Sequence, residues 1–287
     1  MISIVQAAII GLVQGITELF PISSLGHSVI LPKLLGWNIN QDAPYYLTFL
    51  VATHLATATV LLLFFWKDWL NIARGLLRSF IARRVDPQDS YAKIGWLLVV
   101  GTIPAGILGL LLQDTLRSLF ASAQIAAMFL IVNGAILFAA ERLRRRREKE
   151  GHTSAESNKK LARLTWGHAV GIGVVQSAAL IPGISRSGSS MAGGLLIGLN
   201  NEDAARFSFL LATPIIGAAA VLKMPSLFTS SMMPFRSAII IGALCAAVSA
   251  YLAVKFLMNY FQTNRLTPFA IYCAAAGVTL SVYFLVK

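Results

Sequence analysis

Long apolar runs separated by short polar segments dominate this chain. Each run is long enough to cross the hydrocarbon core of a bilayer as an α-helix, which takes about 20 residues. A chain of 287 residues with this pattern is typical of an integral membrane protein, not of a soluble domain. The pattern predicts an all-α fold with six transmembrane helices, at 45–66, 94–113, 121–140, 205–223, 237–258 and 268–286.

Two further apolar segments, at 1–36 and 166–200, are interrupted near their middle by Pro, Gly and Ser. When residues 7–36 are aligned with the residues 162 positions further along, 11 of 30 positions are identical. Composition alone would give about three identities, so we interpret the segments as repeats. Irregular backbone at membrane depth is tolerated only where protein buries it or where it lines a wet cavity. Each segment therefore predicts a re-entrant helical hairpin.

The repeat predicts an inverted topology. Three predicted crossings separate the two hairpins, so the second hairpin enters the membrane from the opposite face. A second match, between Phe49–Thr53 and Phe209–Thr213, extends the repeat into the following helices. The broken tips of the two hairpins are then expected to meet near the midplane. The predicted units are a first membrane repeat at 1–145, a basic cytoplasmic loop at 146–165 and a second, inverted repeat at 166–287.

Composition and charge agree with a membrane protein and exclude a nucleic-acid partner. Hydrophobic residues make up 56% of the chain and charged residues only 13%. The net charge of +12 comes largely from six Lys and Arg at 67–93 and nine at 142–163. Two crossings separate these basic segments, so both lie on one face, which the positive-inside rule makes cytoplasmic. The charge therefore indicates topology and contact with lipid headgroups, not a surface for DNA or RNA.

Polar side chains at the two breaks are candidates for catalysis, because such groups are costly inside the membrane. Arg186 could bind two phosphate oxygens at once, and the Gly- and Ser-rich loop around it favours an anion. Opposite it, His27 could activate Ser24 or a water, with Glu18 as its orienting partner or as the base. The alternative is a structural Arg186–Glu18 pair at a helix break. The candidate substrate-binding residues are Gln14, Ser23, Ser185, Ser187, Gly188 and Ser190.

Other polar residues are interpreted as structural. His54 lies beside Thr53 and Thr57 on an apolar run, which favours a packed or hydrogen-bonded core histidine. Cys245 and Cys273 lie within apolar runs, and the chain has no CxxC motif or Cys/His cluster. The sequence therefore predicts no disulfide and no zinc site.

These motifs resemble those of the BacA/UppP family of undecaprenyl-pyrophosphate phosphatases. The resemblance is carried by Gln14–Glu18, Pro21–His27 and Pro182–Ser190, and it extends to Ala205–Pro214 and Pro268–Tyr272. It implies an integral enzyme of the bacterial inner (plasma) membrane. Such an enzyme removes the terminal phosphate of a C55 polyprenyl diphosphate and recycles the carrier lipid for peptidoglycan synthesis. It also implies an active site that opens to the periplasmic side.

Two departures from the family pattern affect the expected chemistry. Gln14 stands where many relatives have Glu, which weakens a paired-carboxylate site for a divalent cation. Leu25 stands where many have Thr, which removes a hydroxyl. A divalent cation, Mg²⁺ or Ca²⁺, with Glu18 as its ligand is left open. The hypothesis is in-line attack on the terminal phosphorus, with Ser24, His27 or a water as the nucleophile.

A transporter is the competing interpretation. Inverted repeats with broken helices are typical of secondary carriers, and an Arg at the midplane could bind an anion without chemistry. The sharpest version is a flippase for polyprenyl phosphate. Such a transporter would carry polyprenyl phosphate or another anionic substrate. The expected partners of the phosphatase are a polyprenyl diphosphate lipid and the membrane, and assembly as a homodimer is left open.

Overall fold

The computed structural model describes residues 2–112, 122–148 and 161–286. Over these ranges the chain is helical and contains no β-strand. Short 3₁₀ turns at Ala178–Leu180 and Ser230–Phe235 join some of the helices. The α-helices are α1 Ile4–Leu19, α2 Ser24–Leu34, α3 Pro44–Phe64, α4 Trp66–Ala82, α5 Ser90–Leu111, α6 Ala123–Glu148, α7 Trp166–Ser177, α8 Arg186–Leu196, α9 Asn201–Leu227, α10 Arg236–Thr263 and α11 Thr267–Val286.

The protein is a multi-pass membrane protein. Among the described residues, helices α3, α5, α6, α10 and α11 are long and apolar enough to cross a bilayer. They coincide with five of the six predicted crossings. The sixth prediction, 205–223, falls within α9, which is one continuous helix but is not among those five. The predicted connection 114–120 and the adjoining ends of two crossings lie outside the described residues.

The basic segment at 67–93 is not the simple loop that the sequence predicts. Most of it forms α4, an amphipathic helix that packs against α5. Ile72, Gly75 and Ser79 form its buried face. The backbone at Gly75 lies so close to Ala92 that a side chain would clash there. The many Lys and Arg residues in this segment suggest a loop. However, a buried stripe over about one third of the helix circumference is enough to pack the helix against the protein.

Both interrupted segments form helix–break–helix pairs, as predicted. The first break follows α1 and the second follows α7. Pro21 lacks the N–H that would continue α1, and Ser23 takes a positive φ of 71°. The second break turns at Gly183, with φ 100°. The Ser23 and Ser185 side chains, equivalent in the repeat, each accept an N–H three residues later and so start the second helix of their pair.

Each half of the chain packs its first helix against the other half. Helix α1 lies on α10, and its repeat counterpart α7 lies on α5. Gly11 and Gly173 occupy equivalent positions, and each meets the backbone of a glycine on its partner helix, Gly242 and Gly101 respectively. A Cβ at either position would overlap the facing carbonyl. This exchange of partners is what a repeat predicts. The inverted direction of the halves and the unit boundaries remain predictions, and 149–160 of the basic loop lie outside the described residues.

The predicted topology can be tested by thiol labelling. With Cys245 and Cys273 replaced by alanine, Ser230→Cys should react with an impermeant maleimide on intact spheroplasts. Gln88→Cys should react only after permeabilisation. Both positions are exposed, so access is set by the membrane and not by the fold. The reverse labelling pattern would place the basic segments outside.

Candidate functional site

The two breaks lie against each other in the middle of the helix bundle. The Ser187 hydroxyl donates to the Phe20 carbonyl at 3.1 Å. The Asn133 amide, on α6, spans both breaks. It donates to the Pro21 carbonyl at 2.9 Å and accepts from the Ser185 N–H at 3.0 Å. One buried side chain therefore fixes the spacing of the two loops.

The buried carboxylate of Glu18 is the centre of the site. Its Oε2 atom accepts from the Ser24 hydroxyl at 2.5 Å and from Gln14 Nε2 at 3.0 Å, and lies 3.2 Å from His54 Nε2. Its Oε1 atom accepts from Arg186 Nε at 3.3 Å and Nη2 at 3.1 Å. The Glu18 side chain is only 4% exposed. An ionised carboxylate at such a position requires this set of donors, since an unpaired buried charge is strongly unfavourable.

Two helix starts meet at this carboxylate. Ser24 is the first residue of α2 and Arg186 is the first residue of α8. These positions are equivalent in the repeat. Helix N-termini carry unpaired N–H groups and a partial positive charge, and so favour anions. The Arg186 guanidinium also donates from Nη1 to the Ser208 carbonyl at 3.4 Å, which holds its plane in place.

A cavity of about 600 Å³ opens beside these groups. Its polar wall contains Glu18, Ser24, His54 and Arg186. The remaining walls are mostly apolar. The volume and the lining of the cavity are typical of sites that bind small molecules with one charged end. The cavity therefore has room for a phosphate-bearing head group and the adjoining part of an apolar chain. The apolar walls include Leu25, Val29, Leu50, Val51, Leu180, Ile184, Ile215 and Ile216.

The predicted binding residues fall into two groups. Ser23 and Ser185 line the cavity. The other four do not line the cavity and instead stabilise the two breaks. The Gln14 amide donates to the Glu18 carboxylate, and the Ser187 hydroxyl donates to the Phe20 carbonyl at the first break. The Gly188 N–H donates to Ser185 Oγ at 3.1 Å, and the Ser190 hydroxyl donates to the Arg186 carbonyl at 2.8 Å.

His27 is not oriented by Glu18, and this part of the sequence hypothesis is wrong. His27 Nδ1 lies 2.7 Å from the Ser23 carbonyl, and Nε2 lies 2.8 Å from the hydroxyl of Tyr272. The His27 and Tyr272 rings also stack. The reason is local: His27 is in the first turn of α2, where its ring contacts Tyr272 of α11, and it is not among the residues that line the cavity. A catalytic role for His27 remains a prediction.

His54 occupies the place beside Glu18 that was expected of His27. It lines the cavity, and its Nδ1 lies 2.7 Å from the Leu50 carbonyl while Nε2 approaches Glu18. Both neighbours are acceptors, so an imidazolium that donates from both nitrogens fits them. The signal for this residue was present in the sequence, because an ionisable group within a membrane span is a functional candidate by default.

The donor set does not form a resident metal site. Among the described residues, no three His, Cys, Asp or Glu side chains gather as ligands. The two carboxylates that line the cavity are Glu18 and Asp42. Glu18 already accepts from an arginine and an amide, and Gln14 presents its N–H₂ group to this carboxylate, not an oxygen ligand to a cation.

Comparison with known proteins gives one consistent result. Residues 7–279 match the family described as bacitracin resistance protein BacA. The chain is 43% identical to undecaprenyl-diphosphatase 2 of Frankia alni, over 97% of each chain. It is 46% identical to undecaprenyl-diphosphatase of Mycolicibacterium paratuberculosis, over 96% of this chain and 95% of the relative. For undecaprenyl-diphosphatase of Granulibacter bethesdensis the identity is 47%, over 96% and 94%.

The bridging role of Asn133 predicts a joint loss of stability and activity. Asn133→Ala leaves the Ser185 N–H unpaired and the Pro21 carbonyl with only its weak Cys273 S–H donor, at a cost of about 2–5 kcal/mol in the free energy of unfolding. The turnover rate should fall at least about tenfold, since even a small displacement of catalytic groups lowers the rate. Unfolding in mixed micelles and initial rates measure the two effects. Asn264→Ala, at an exposed helix end, is the control. Wild-type stability and turnover in Asn133→Ala would show that the bridge is dispensable.

Proposed function

This chain belongs to the bacitracin resistance protein BacA family, and from that premise we propose that it is a membrane phosphatase for undecaprenyl diphosphate. It releases inorganic phosphate and returns undecaprenyl phosphate, the carrier lipid for peptidoglycan synthesis. One observation carries the proposal: the paired Ser24 and Glu18 face Arg186 on one wall of a cavity with otherwise apolar walls. An anion carrier has no need of a hydroxyl held against a base, so the arrangement favours hydrolysis over transport.

The cavity suits a lipid diphosphate in both of its parts. The Arg186 fork and the N–H groups at the starts of α2 and α8 would bind the terminal phosphate. The apolar walls would contact the first isoprene units, while the rest of the chain stays in the bilayer. Binding of the phosphate would draw the guanidinium from Glu18 toward the substrate and leave the carboxylate with its hydroxyl, amide and imidazole donors.

Ser24 is the proposed nucleophile, because it lines the cavity and already donates to a carboxylate. Its oxygen attacks the terminal phosphorus, and its proton passes to Glu18. The bond from phosphorus to the bridging oxygen breaks, and undecaprenyl phosphate leaves. Glu18 passes the proton on to the departing undecaprenyl phosphate and is a base again. It then takes a proton from the water that hydrolyses the phosphoserine and returns it to Ser24 Oγ as inorganic phosphate is released. Arg186 stabilises the charge on the equatorial oxygens in both steps.

His54 is the proposed positioning residue for the base. Its donation to Glu18 Oε2 fixes the carboxylate that Ser24 also contacts. Its positive charge would offset Glu18 so that the site, with Arg186, remains attractive to a diphosphate.

The proposed location is the bacterial inner membrane, with the cavity opening to the periplasmic side. The placement of Lys and Arg at 67–93 and 142–163 supports this orientation. All residues in the proposed chemistry come from one chain, so a homodimer is not required by it. The divalent cation that the sequence leaves open would have Glu18 as its protein ligand. Because the described residues around Glu18 are not arranged as a resident metal site, no step above depends on a cation.

Phosphate release in detergent tests the function directly. Purified protein and undecaprenyl diphosphate should yield inorganic phosphate in micelles, where no compartments exist and transport cannot be scored. Ser24→Ala should abolish release, whereas Ser231→Ala, at an exposed position, should not. Absence of release by folded protein would favour the transporter. A chelator arm tests the cation: loss of release that Mg²⁺ or Ca²⁺ restores supports it, and unchanged release contradicts it.

Two substitutions of His54 separate the effect of its hydrogen bond to Glu18 on turnover from the effect of its side-chain volume. His54→Gln keeps an N–H donor at the reach of Nε2, so turnover should stay within about tenfold of wild type. His54→Ala removes a donor to a charged acceptor, a loss of roughly 10- to 150-fold. Initial rates at saturating substrate, with unfolding curves for both variants, make the comparison. Equal losses in the two folded variants would show that the hydrogen bond is not what matters.

A further inference from the structure

Helix α4 connects two helices that are long and apolar enough to cross the bilayer. It begins two residues after the spanning helix α3 ends, and the spanning helix α5 starts eight residues after α4 ends. Gly75 packs on Ala92, in the first turn of α5. Helix α4 carries Lys67, Asp68, Arg74 and Arg78 within 17 residues, and charged residues are costly in a helix that crosses the bilayer. Helix α4 therefore stays at the face where α3 leaves the membrane.

Three stripes divide the surface of α4. One is buried against the protein, and a second carries the basic residues Lys67, Arg74 and Arg78. The third is apolar and exposed, and includes Phe80 at 74% and Ile81 at 73% exposure. An apolar stripe beside a basic stripe is typical of helices that lie in the headgroup region with their apolar side in the acyl chains.

A second cavity, of about 410 Å³, lies at the C-terminal end of α4. It is lined by Ser79, Phe80, Arg83, Arg84, Val85 and Trp96. Trp96, on α5, donates from Nε1 to the Ser79 hydroxyl at 2.8 Å and so closes one wall. Arg83 ends the helix in the left-handed region, with φ 51°, and the Arg84 N–H donates to the Ser79 carbonyl at 3.1 Å. This turn holds both arginines at the cavity.

The two arginines are available to an external anion. The neighbouring Arg78 is committed to Asp89, at 2.6 Å. In the part of the chain that the structure describes, neither Arg83 nor Arg84 has a side-chain ion pair, and both are exposed. The nearest acid in sequence, Asp86, accepts from the Gln88 N–H within the next turn.

We propose that this end of α4 is a binding site for an anionic glycerophospholipid of the surrounding leaflet. Arg83 and Arg84 hold the phosphate, and the Trp96 indole lies at the level of the headgroup. The acyl chains run along Leu77, Phe80 and Ile81, which the fold leaves exposed on the adjoining stripe. The site is separate from the cavity at Glu18, with which it shares no lining residue.

Native mass spectrometry of the full chain, released from neutral detergent, measures this binding. Phosphatidylglycerol and phosphatidylcholine with identical acyl chains are compared. Wild type should prefer phosphatidylglycerol, and Arg83→Ala/Arg84→Ala should weaken its binding roughly thirtyfold, the contribution expected of two arginines at an anionic surface. The matched control, Arg142→Ala/Arg265→Ala, removes two exposed arginines from the face that the topology assigns to α4. It should keep the preference.

Three outcomes would overturn the proposal: no preference for the anionic lipid in wild type, equal losses in both double variants, or displacement of the lipid by equimolar glycerol phosphate. The last would show a site for a soluble phosphate and not for a lipid. Phosphate release in neutral detergent, unchanged in both variants, serves as the check on folding. If the double variant does not fold, Arg84→Gln alone should still weaken binding of phosphatidylglycerol about fivefold, and wild-type binding by this variant would equally contradict the site.

Discussion

The assembly of this structure depends on one buried carboxylate. Glu18 lies within an apolar bundle, where an unpaired charge would be prohibitive. Its main partner is Arg186, 168 positions further along the chain, at the tip of the other broken segment. Neither break could hold its charged residue alone. The pairing therefore requires the two halves to assemble with their breaks in contact, and it places a base and an anion-binding guanidinium side by side.

The repeat explains how so small a site is supported. Equivalent serines, Ser23 and Ser185, start the second helix of each pair, and equivalent glycines, Gly11 and Gly173, allow each half to pack against the other. The chemistry comes from the positions where the repeats differ. Ser24 and Arg186 are equivalent in position but unlike in function: one offers a hydroxyl and the other a guanidinium to the same cavity. The two broken segments thus supply complementary halves of one site.

Much of this was predictable from sequence because it depends on local patterns. Apolar length predicts the spans, and Pro21 and the Pro182–Ser190 run mark the breaks. The identities between repeats bring Glu18 and Arg186 to one site. The predictions that failed depend on which side of its helix a residue occupies. His27 and His54 are both histidines within apolar segments, and only the tertiary contacts separate them: the His27 ring contacts Tyr272, whereas His54 lines the cavity. Helix α4 was hidden because its buried stripe is narrow and its charges suggest a loop.

The central claim is that Glu18 and Arg186 act as one unit in turnover. A double-mutant cycle of Glu18→Gln and Arg186→Gln, scored by phosphate release from undecaprenyl diphosphate, tests it most directly. Each single substitution should lower turnover roughly a hundred- to thousandfold. The double variant should be no more than about tenfold below the worse single variant, since groups that act together do not contribute independently. Losses that multiply in the double variant would show that the two residues work separately, and would contradict the account.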